Sequence, residues 1–400
     1  MEREDFVRLA GSAGQALLAQ IDYSSTTDVL ALVAKLRSDG HDPATVAAVL
    51  TQAKLRKRGQ AKFGEFASQM LFTEAGLEQA SRLKVAALHA GRFRAAGIAQ
   101  VADLGCGIGA ESMAMASLGI NVHAFELDEV TAAVATYNLA PFENATVEIA
   151  NVEQLDLSKF EALFFDPARR ELHGAKKSST QRHFDPANYS PNYNFCIEQA
   201  KTKPTGIKLG PGHDRKQIPE GSEAQWVSVD GDLVEMSLWF GKLARENIAR
   251  SALLIDANGQ HEITSAQIDS PNAELGELGA YVYEPDNSLI RSRLISDFAL
   301  PLGLTLIAPE IAYLSSNDLI SSPWLKGYKV IDNLVFDRKK LKAYVRENNI
   351  GILEIKKRGS DISPEELRKQ LAPKGEGAAT LIVTRVGDAH RVLVAQPIGN

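Results

Sequence analysis

The chain has 400 residues, 44% of them apolar and 24% charged, with 30 Gly and 16 Pro, an ordinary globular composition that excludes collagen-like, low-complexity and wholly disordered classes. At roughly 100–200 residues per domain, the length predicts two to four domains, each able to bury its own core. Lys+Arg against Asp+Glu is 44 against 50, a formal charge of -6 that leaves a nucleic-acid partner open, because local distribution outweighs the total.

The start, MEREDFVRL, carries no apolar signal-peptide core, and no stretch approaches the roughly 18 apolar residues of a membrane span. Cys106 and Cys196 are the two cysteines, too few for a disulfide framework or a Cys-rich metal site. The expectation is a soluble, cytoplasmic, reducing-compartment protein with no metal and no membrane partner. Its oligomeric state is not legible.

In chain order, residues 1–95 read as helix after helix. Val29, Leu30, Leu32, Val33 and Leu36 recur at helical spacing behind Thr27-Asp28. Asp42-Pro43 is an N-cap followed by a first-turn proline, opening a helix with Val46, Val49 and Leu50 on one face. That helix enters a basic cluster, Lys54, Arg56, Lys57, Arg58 and Lys62, read as a solvated face or a nucleic-acid contact. A third amphipathic helix is expected over 77–96.

From residue 96 to about 245 short apolar runs alternate with helical patterns. VADLG (101–105), VHAFE (122–126), TVEIA (146–150), ALFFD (162–166) and GIKLG (206–210) read as strands, with helices over 110–118 and 129–139. This alternation predicts a parallel sheet flanked by helices, with sites at the carboxyl ends of the strands. Residues 246–330 form a mixed α/β extension that opens with a hairpin around Asn258-Gly259. Residues 331–400 predict an α+β domain: a helix at 338–348, the strand ILEIKK, a helix capped by Ser363 with Glu366, and the hairpin TLIVTRV/RVLVAQ. Over 331–400 there are 13 Lys+Arg against 9 Asp+Glu, a balance of +4, so the remainder is -10.

The most specific stretch is Asp103-Leu104-Gly105-Cys106-Gly107-Ile108-Gly109. Glycines after a strand let the backbone approach a ligand, and the next helix presents its N-terminus. With Ala110 as third position it fits G-x-G-x-x-A, the dinucleotide fingerprint. Glu126 ends the second strand 23 residues after Asp103, where a carboxylate accepts ribose hydroxyls. Asp128 competes for that role or caps the next helix. Asn151 follows the third strand, where a turn residue is ordinary. Fifteen residues after Asn151 come Asp166-Pro167-Ala168-Arg169-Arg170.

Read as D-x-G-x-G-x-G, the loop resembles the first motif of class I S-adenosylmethionine-dependent methyltransferases. Asp166-Pro167 resembles the D-P-P-Y/F/W motif of amino-methyltransferases acting on base nitrogens. Here Ala168-Arg169 stands where Pro and an aromatic are usual, so the stacking ring is missing. Glu78-Gln79-Ala80-Ser81-Arg82 and Ala90-Gly91-Arg92-Phe93 resemble the helix before the core of trimethylguanosine-synthase-like enzymes. Ile207-Lys208-Leu209-Gly210-Pro211-Gly212, Ile355-Lys356-Lys357-Arg358-Gly359 and Ala379-Thr380-Leu381 resemble a bacterial class I family with a C-terminal THUMP-like domain.

The resemblance covers most of the chain from about residue 50. It implies a Rossmann-like class I methyltransferase sheet (96–245), an all-helical N-terminal domain (1–95), the α/β extension (246–330) and a THUMP-like α+β domain (331–400). It further implies S-adenosyl-L-methionine held by Gln79, Ser81, Asp103, Gly105, Gly107, Gly109, Glu126, Asn151 and Asp166. Asp166, Pro167 and Arg169 would serve catalysis, and RNA, tRNA or rRNA, would be the substrate. The alternatives are a small-molecule methyltransferase, a non-catalytic RNA-binding protein and, last, a nicotinamide oxidoreductase, which leaves Asn151 and Asp166-Pro167 unexplained. Lys208 and His213 flank a Gly-Pro-Gly turn and read as cleft residues or a solvated turn. Tyr189, Tyr193 and Phe195 read as stacking or core residues, and Lys356-Lys357-Arg358 as an RNA contact or a protected sheet edge.

Overall fold

The computed structural model describes residues 1–24, 26–169 and 189–399. The first 95 residues form α1 (Arg3–Ala10), α2 (Ser12–Ala19), α3 (Val29–Ser38), α4 (Pro43–Phe63), α5 (Glu74–Gln79) and α6 (Leu83–Ala95). The expected caps form: Asp28 accepts the Ala31 N–H, and Asp42 accepts those of Ala44 and Thr45.

The helix expected over 77–96 is instead two helices, α5 and α6, broken at Ala80–Arg82. Lys62 Nζ donates to the Glu78 and Ala80 carbonyls (2.7 and 2.6 Å), and Lys208 Nζ donates to the Gln79 carbonyl (3.3 Å). Two ammonium groups thus satisfy carbonyls that a continuing helix would otherwise bind.

The strands expected between 96 and 245 all form: β1 (Gln100–Leu104), β2 (Asn121–Glu126), β3 (Ala145–Ile149), β4 (Ala162–Phe165) and, later, β7 (Thr205–Leu209). Between β1, β2 and β3 lie α7 (Ala110–Ser117) and α8 (Glu129–Leu139). After β4, β5 (Ala168–Arg169) pairs antiparallel with β6 (Tyr189–Ser190), followed by α9 (Tyr193–Ala200). Beyond β7 come β8 (Glu223–Val229) and β9 (Asp232–Phe240).

The chain divides into two compact units, Met1–Ser222 with Ser237–Arg245, and Glu223–Met236 with Glu246–Asn400. In the first, β3-β2-β1-β4-β7 pair in parallel in that order, with the end of β9 beyond β7. One core joins Leu9, Val49 and Phe63 of the N-terminal helices to Val101, Val122 and Phe164 of the sheet, so residues 1–95 and the sheet bury their apolar faces together. The chain runs outward from β1 to β3 and then crosses back to β4. The crevice at the carboxyl ends of β1 and β4 is therefore the topological switch point, where ligands bind in such sheets.

In the second unit, β10 (Arg250–Asp256) pairs with β8 in parallel and with β11 (Gly259–Ser265) in an antiparallel hairpin. The hairpin turn is Ala257–Asn258, one residue earlier than expected, because Gly259 pairs with Asp256. Then follow β12 (Tyr281–Pro285), α10 (Asn287–Ser292), α11 (Ile295–Ala299), β13 (Thr305–Leu306), β14 (Leu314–Ser316), β15 (Leu325–Val335), α12 (Arg338–Glu347), β16 (Ile350–Lys357), α13 (Pro364–Leu371), β17 (Gly377–Val386) and β18 (Ala389–Pro397). Seven of these strands make one sheet, β13-β14-β12-β15-β18-β17-β16. The boundary expected at 330/331 falls inside β15, whose two edges pair with β12 and β18. Ser363 caps α13 through the Glu366 N–H (3.4 Å), and Leu341, Val345, Leu367 and Leu371 bury the apolar faces of α12 and α13 over Leu353, Leu381 and Val392.

Candidate functional site

The glycine loop links β1 to α7 with three left-handed residues, Gly105, Gly107 and Gly109, at φ of +93°, +56° and +89°. A Cβ on Gly105 would stand 3.2 Å from the Asp166 carbonyl oxygen, and one on Gly109 would stand 3.3 Å from Leu139. At Gly107 a Cβ would meet nothing within 4 Å. The loop therefore packs tightly at its two ends and faces open space at its centre, the form of a cradle.

Three contacts hold the cradle. Glu126 Oε2 accepts the Gly107 N–H (3.0 Å), while its Oε1 accepts those of Leu127 and Asp128 (2.8 and 3.0 Å). Burial raises the Glu126 carboxyl above its ordinary value, against these donors. Asn138 Nδ2 donates to the Ile108 and Leu71 carbonyls (2.9 and 3.0 Å), clamping the loop to the segment before α5. Gly76 has no Cβ, and one would lie 2.4 Å from Ile108, so α5 rests directly on the loop. Asp128 caps α8 through the Thr131 N–H, the structural role open to it.

Asp103 is fully buried beneath the loop. Its Oδ2 accepts from Ser112 Oγ (2.5 Å), whereas Oδ1 has no hydrogen-bond partner among the described residues. Burial pushes this carboxyl up to about 7, and nearby Glu111 and Asp166 push the same way. Ser81, in the break between α5 and α6, is buried with its Oγ also without a partner among the described residues. Gln79 is exposed and contributes its main-chain carbonyl to Lys208. Asn151 is exposed beyond β3, and its Oδ1 caps the following turn at the Glu153 N–H (3.1 Å).

Asp166 and Pro167 end β4, beside the glycine loop. Asp166 Oδ2 lies 2.7 Å from Lys208 Nζ, on the adjacent β7. Of the two readings open for Lys208, cleft residue or solvated turn, the structure supports the first: its side chain is 11% exposed, against 31% for Asp166. The signal lies in GIKLG, since parallel strands buried on both faces are nearly continuous apolar runs and an ionisable residue there needs a partner. The Arg169 backbone pairs with Tyr189 in the β5–β6 ladder. Arg170 and the side chain of Arg169 lie outside the described residues.

Several residues left open by sequence prove structural. Tyr189 and Tyr193 are 3% and 5% exposed, and the Tyr193 hydroxyl donates to the Gln217 carbonyl, so both belong to the core instead of stacking on a ligand. Phe195 packs edge-on against Phe165. His213 is buried against Tyr193, and burial pushes its imidazole down to about 4. In the α4 cluster, Arg56 donates to the Met70 carbonyl, Arg58 pairs with Glu74 and Lys62 caps α5, leaving Lys54 and Lys57 exposed. In the tail run, Lys356 and Arg358 both bind Glu284 (2.7 and 3.3 Å), and Lys357 alone faces outward. No group of three or more metal-ligating side chains, and no helix long and apolar enough to cross a membrane, occurs among the described residues.

Residues 325–397 match the family model "THUMP domain-like", and residues 2–59 match a domain of unknown function (DUF8688). Two uncharacterized S-adenosylmethionine-dependent methyltransferases of Mycobacterium tuberculosis, from strains CDC 1551 / Oshkosh and ATCC 25618 / H37Rv, are each 30% identical over 345 residues, which is 83% of this chain and 91% of theirs. A crystal structure from Porphyromonas gingivalis W83, of a protein assigned as a methyltransferase, shares the fold with a TM-score of 0.74 at 21% identity, covering 100% of this chain and 99% of that one. With identity at that level across most of both chains, and a glycine cradle at the switch point of a parallel sheet, the chain belongs to the S-adenosylmethionine-dependent methyltransferases.

Proposed function

We propose that this methyltransferase modifies a base nitrogen in RNA, tRNA or rRNA, with Asp166, Pro167 and Arg169 at the acceptor and Gln79, Ser81, Asp103, the three loop glycines, Glu126, Asn151 and Asp166 at the cofactor. The residues suit the cofactor: the loop is open in front of Gly107, and two buried oxygens, Asp103 Oδ1 and Ser81 Oγ, await donors. When bound, S-adenosylmethionine would supply an electrophilic methyl carbon, to which an acceptor lone pair bonds in line as the carbon–sulfur bond breaks and S-adenosylhomocysteine leaves. The chain's own residues then need only to bind, orient and exclude water, worth about 7–11 kcal/mol of barrier in well-positioned reactions. Asp166 and the Pro167 carbonyl accept N–H bonds from the acceptor and aim its lone pair at the methyl group.

The observation that carries RNA as substrate is the basic helix of the THUMP-like domain. Arg338, Lys339, Lys340, Lys342 and Arg346 of α12 are all exposed, while Leu341 and Val345 face the core. Arg338, Lys342 and Arg346 recur every four residues along one ridge, a stripe suited to a phosphate backbone. The test is transfer of label from methyl-tritiated S-adenosylmethionine to tRNA, rRNA, DNA and metabolites from a strain lacking the gene. Label in one RNA fraction is expected; label confined to metabolites supports the small-molecule reading and sinks this one.

Truncation at 331 would tear β15 and is a poor probe of the domain. Charge reversal on α12 keeps the sheet. Arg338→Glu, Lys342→Glu and Arg346→Glu together should weaken RNA binding and flatten its log–log salt dependence by about 0.7–0.9 for each phosphate no longer neutralised. Cofactor affinity should stay unchanged. An unaltered salt slope in filter binding would remove α12 from the interface.

Asp103 carries a pH signature. Unfolded, it titrates near 3.8; folded, near 7. It therefore favours the folded state most in acid, and that contribution is lost as pH rises from about 4 to 7. A cation bound beside Asp103 favours the carboxylate, so cofactor binding below pH 7 should release a proton and affinity should climb with pH, by at most about tenfold per unit. Calorimetry at pH 6 in buffers of different ionisation enthalpy reads the proton directly. Asp103→Asn should abolish the release, and equal release in the variant would refute the assignment.

A further inference from the structure

Lys208 sits where the fold has little room for a charge, on a buried parallel strand next to β4. A lysine placed there without a function would carry a desolvation cost that an apolar residue avoids. Its Nζ spans two elements, reaching the Asp166 carboxylate on one side and the Gln79 carbonyl at the end of α5 on the other. The first partner ends the strand facing the acceptor, and the second opens the α5–α6 break that carries Ser81. The strut thus joins the acceptor side of the site to its cofactor side.

We propose that Lys208 is a positioning residue for methyl transfer, holding the Asp166 carboxylate ionised and in one place through the 2.7 Å pair while anchoring it to the Gln79 carbonyl. This rests on Asp166 facing the acceptor. A carboxylate that accepts an acceptor N–H must be charged and still when the lone pair is aimed; a protonated one would present a donor instead, and a mobile one would misalign the lone pair. Among the described residues, the titratable groups that interact with Asp166 include Lys208 on β7, Lys62 on α4, Asp103 on β1 and Cys106 of the glycine loop. The two lysines favour its anion and Asp103 opposes it. Lys62 is spent on the α5 carbonyls, whereas Lys208 is in direct contact with the Asp166 carboxylate.

The test follows the Asp166 carboxyl by carbon-13 NMR, assigned with Asp166→Asn, in the wild-type protein and in Lys208→Met. The wild-type midpoint is expected below the ordinary value of about 3.9, and Lys208→Met should raise it by about one to three units. Binding of S-adenosylhomocysteine, read by calorimetry, checks that the variant keeps its folded cofactor site. A wild-type midpoint at or above 3.9 overturns the proposal, and so does an unmoved midpoint in folded Lys208→Met. Should Lys208→Met fail to fold, the wild-type midpoint and Lys208→Arg, which keeps the charge and should keep the midpoint low, decide the matter. Turnover on total RNA separates this proposal from the reading beneath it. Full activity in Asp166→Asn defeats the acceptor role itself. An inactive Asp166→Asn beside a Lys208→Met with wild-type acid limb defeats only the strut.

Discussion

Gly107→Arg should reduce affinity for S-adenosylmethionine by more than about 100-fold, beyond about 2.7 kcal/mol on the usual scale. Two effects combine. Gly107 is left-handed at φ +56°, a conformation that costs an L-residue about 1–2 kcal/mol. Its missing Cβ also faces open space, so an arginine side chain fits the fold but fills the cradle where the cofactor would lie. The N–H of the same residue is the one Glu126 Oε2 holds, and any relief of backbone strain by rotation breaks that bond too. Gly107→Ala separates the contributions, since it carries the strain with little bulk and should weaken binding by no more than about tenfold. Calorimetry with both variants checks the order. An arginine variant that binds as well as wild type would remove the loop from the cofactor site.

Asp166→Ala should lower methyl transfer to RNA by about 10²–10⁴-fold, the usual range for a positioned proton-accepting group. Cofactor affinity should move far less, since the cradle is built mainly from β1, β2 and their loops. Removing the carboxylate also deprives Lys208, 11% exposed, of its counter-charge, and the variant should melt at a lower temperature for that reason. Asp166→Asn keeps an acceptor oxygen and the shape of the site. If activity falls in step with the melting temperature across the two variants, the defect is one of folding; a folded Asp166→Asn with intact cofactor binding and little turnover places it in the chemistry. Single-turnover transfer at saturating cofactor makes that distinction.

Much of the site is legible in the sequence because its residues are defined by local rules. A glycine loop between a strand and a helix, a carboxylate at the end of the next strand and an Asp-Pro ending the fourth are spaced by strand and helix lengths, which hydrophobic periodicity reveals. The same holds for the N-caps Asp28, Asp42 and Ser363, where cap and helix lie within three residues of each other.

Roles that depend on partners distant in sequence are a different matter. Lys62 and Lys208 lie 146 positions apart, yet both bind carbonyls around the α5–α6 break, and no period in the segment 77–96 announces that break. Lys356 and Arg358 read as a basic run, but Glu284 on β12, more than 70 residues away, pairs with both through its two carboxylate oxygens. Tyr193 and His213 read as available to a ligand, whereas the fold buries each against the other.

Local rules are enough to expect a parallel sheet flanked by helices, the glycine loop and the acids that follow its strands, because strand and helix periods and turn chemistry act over a few residues. Which charged side chains face the cleft and which are consumed as struts and caps follows from long-range packing. Desolvation makes a buried charge seek whatever partner the packing brings near, and that neighbour is set by the arrangement of strands, not by position along the chain.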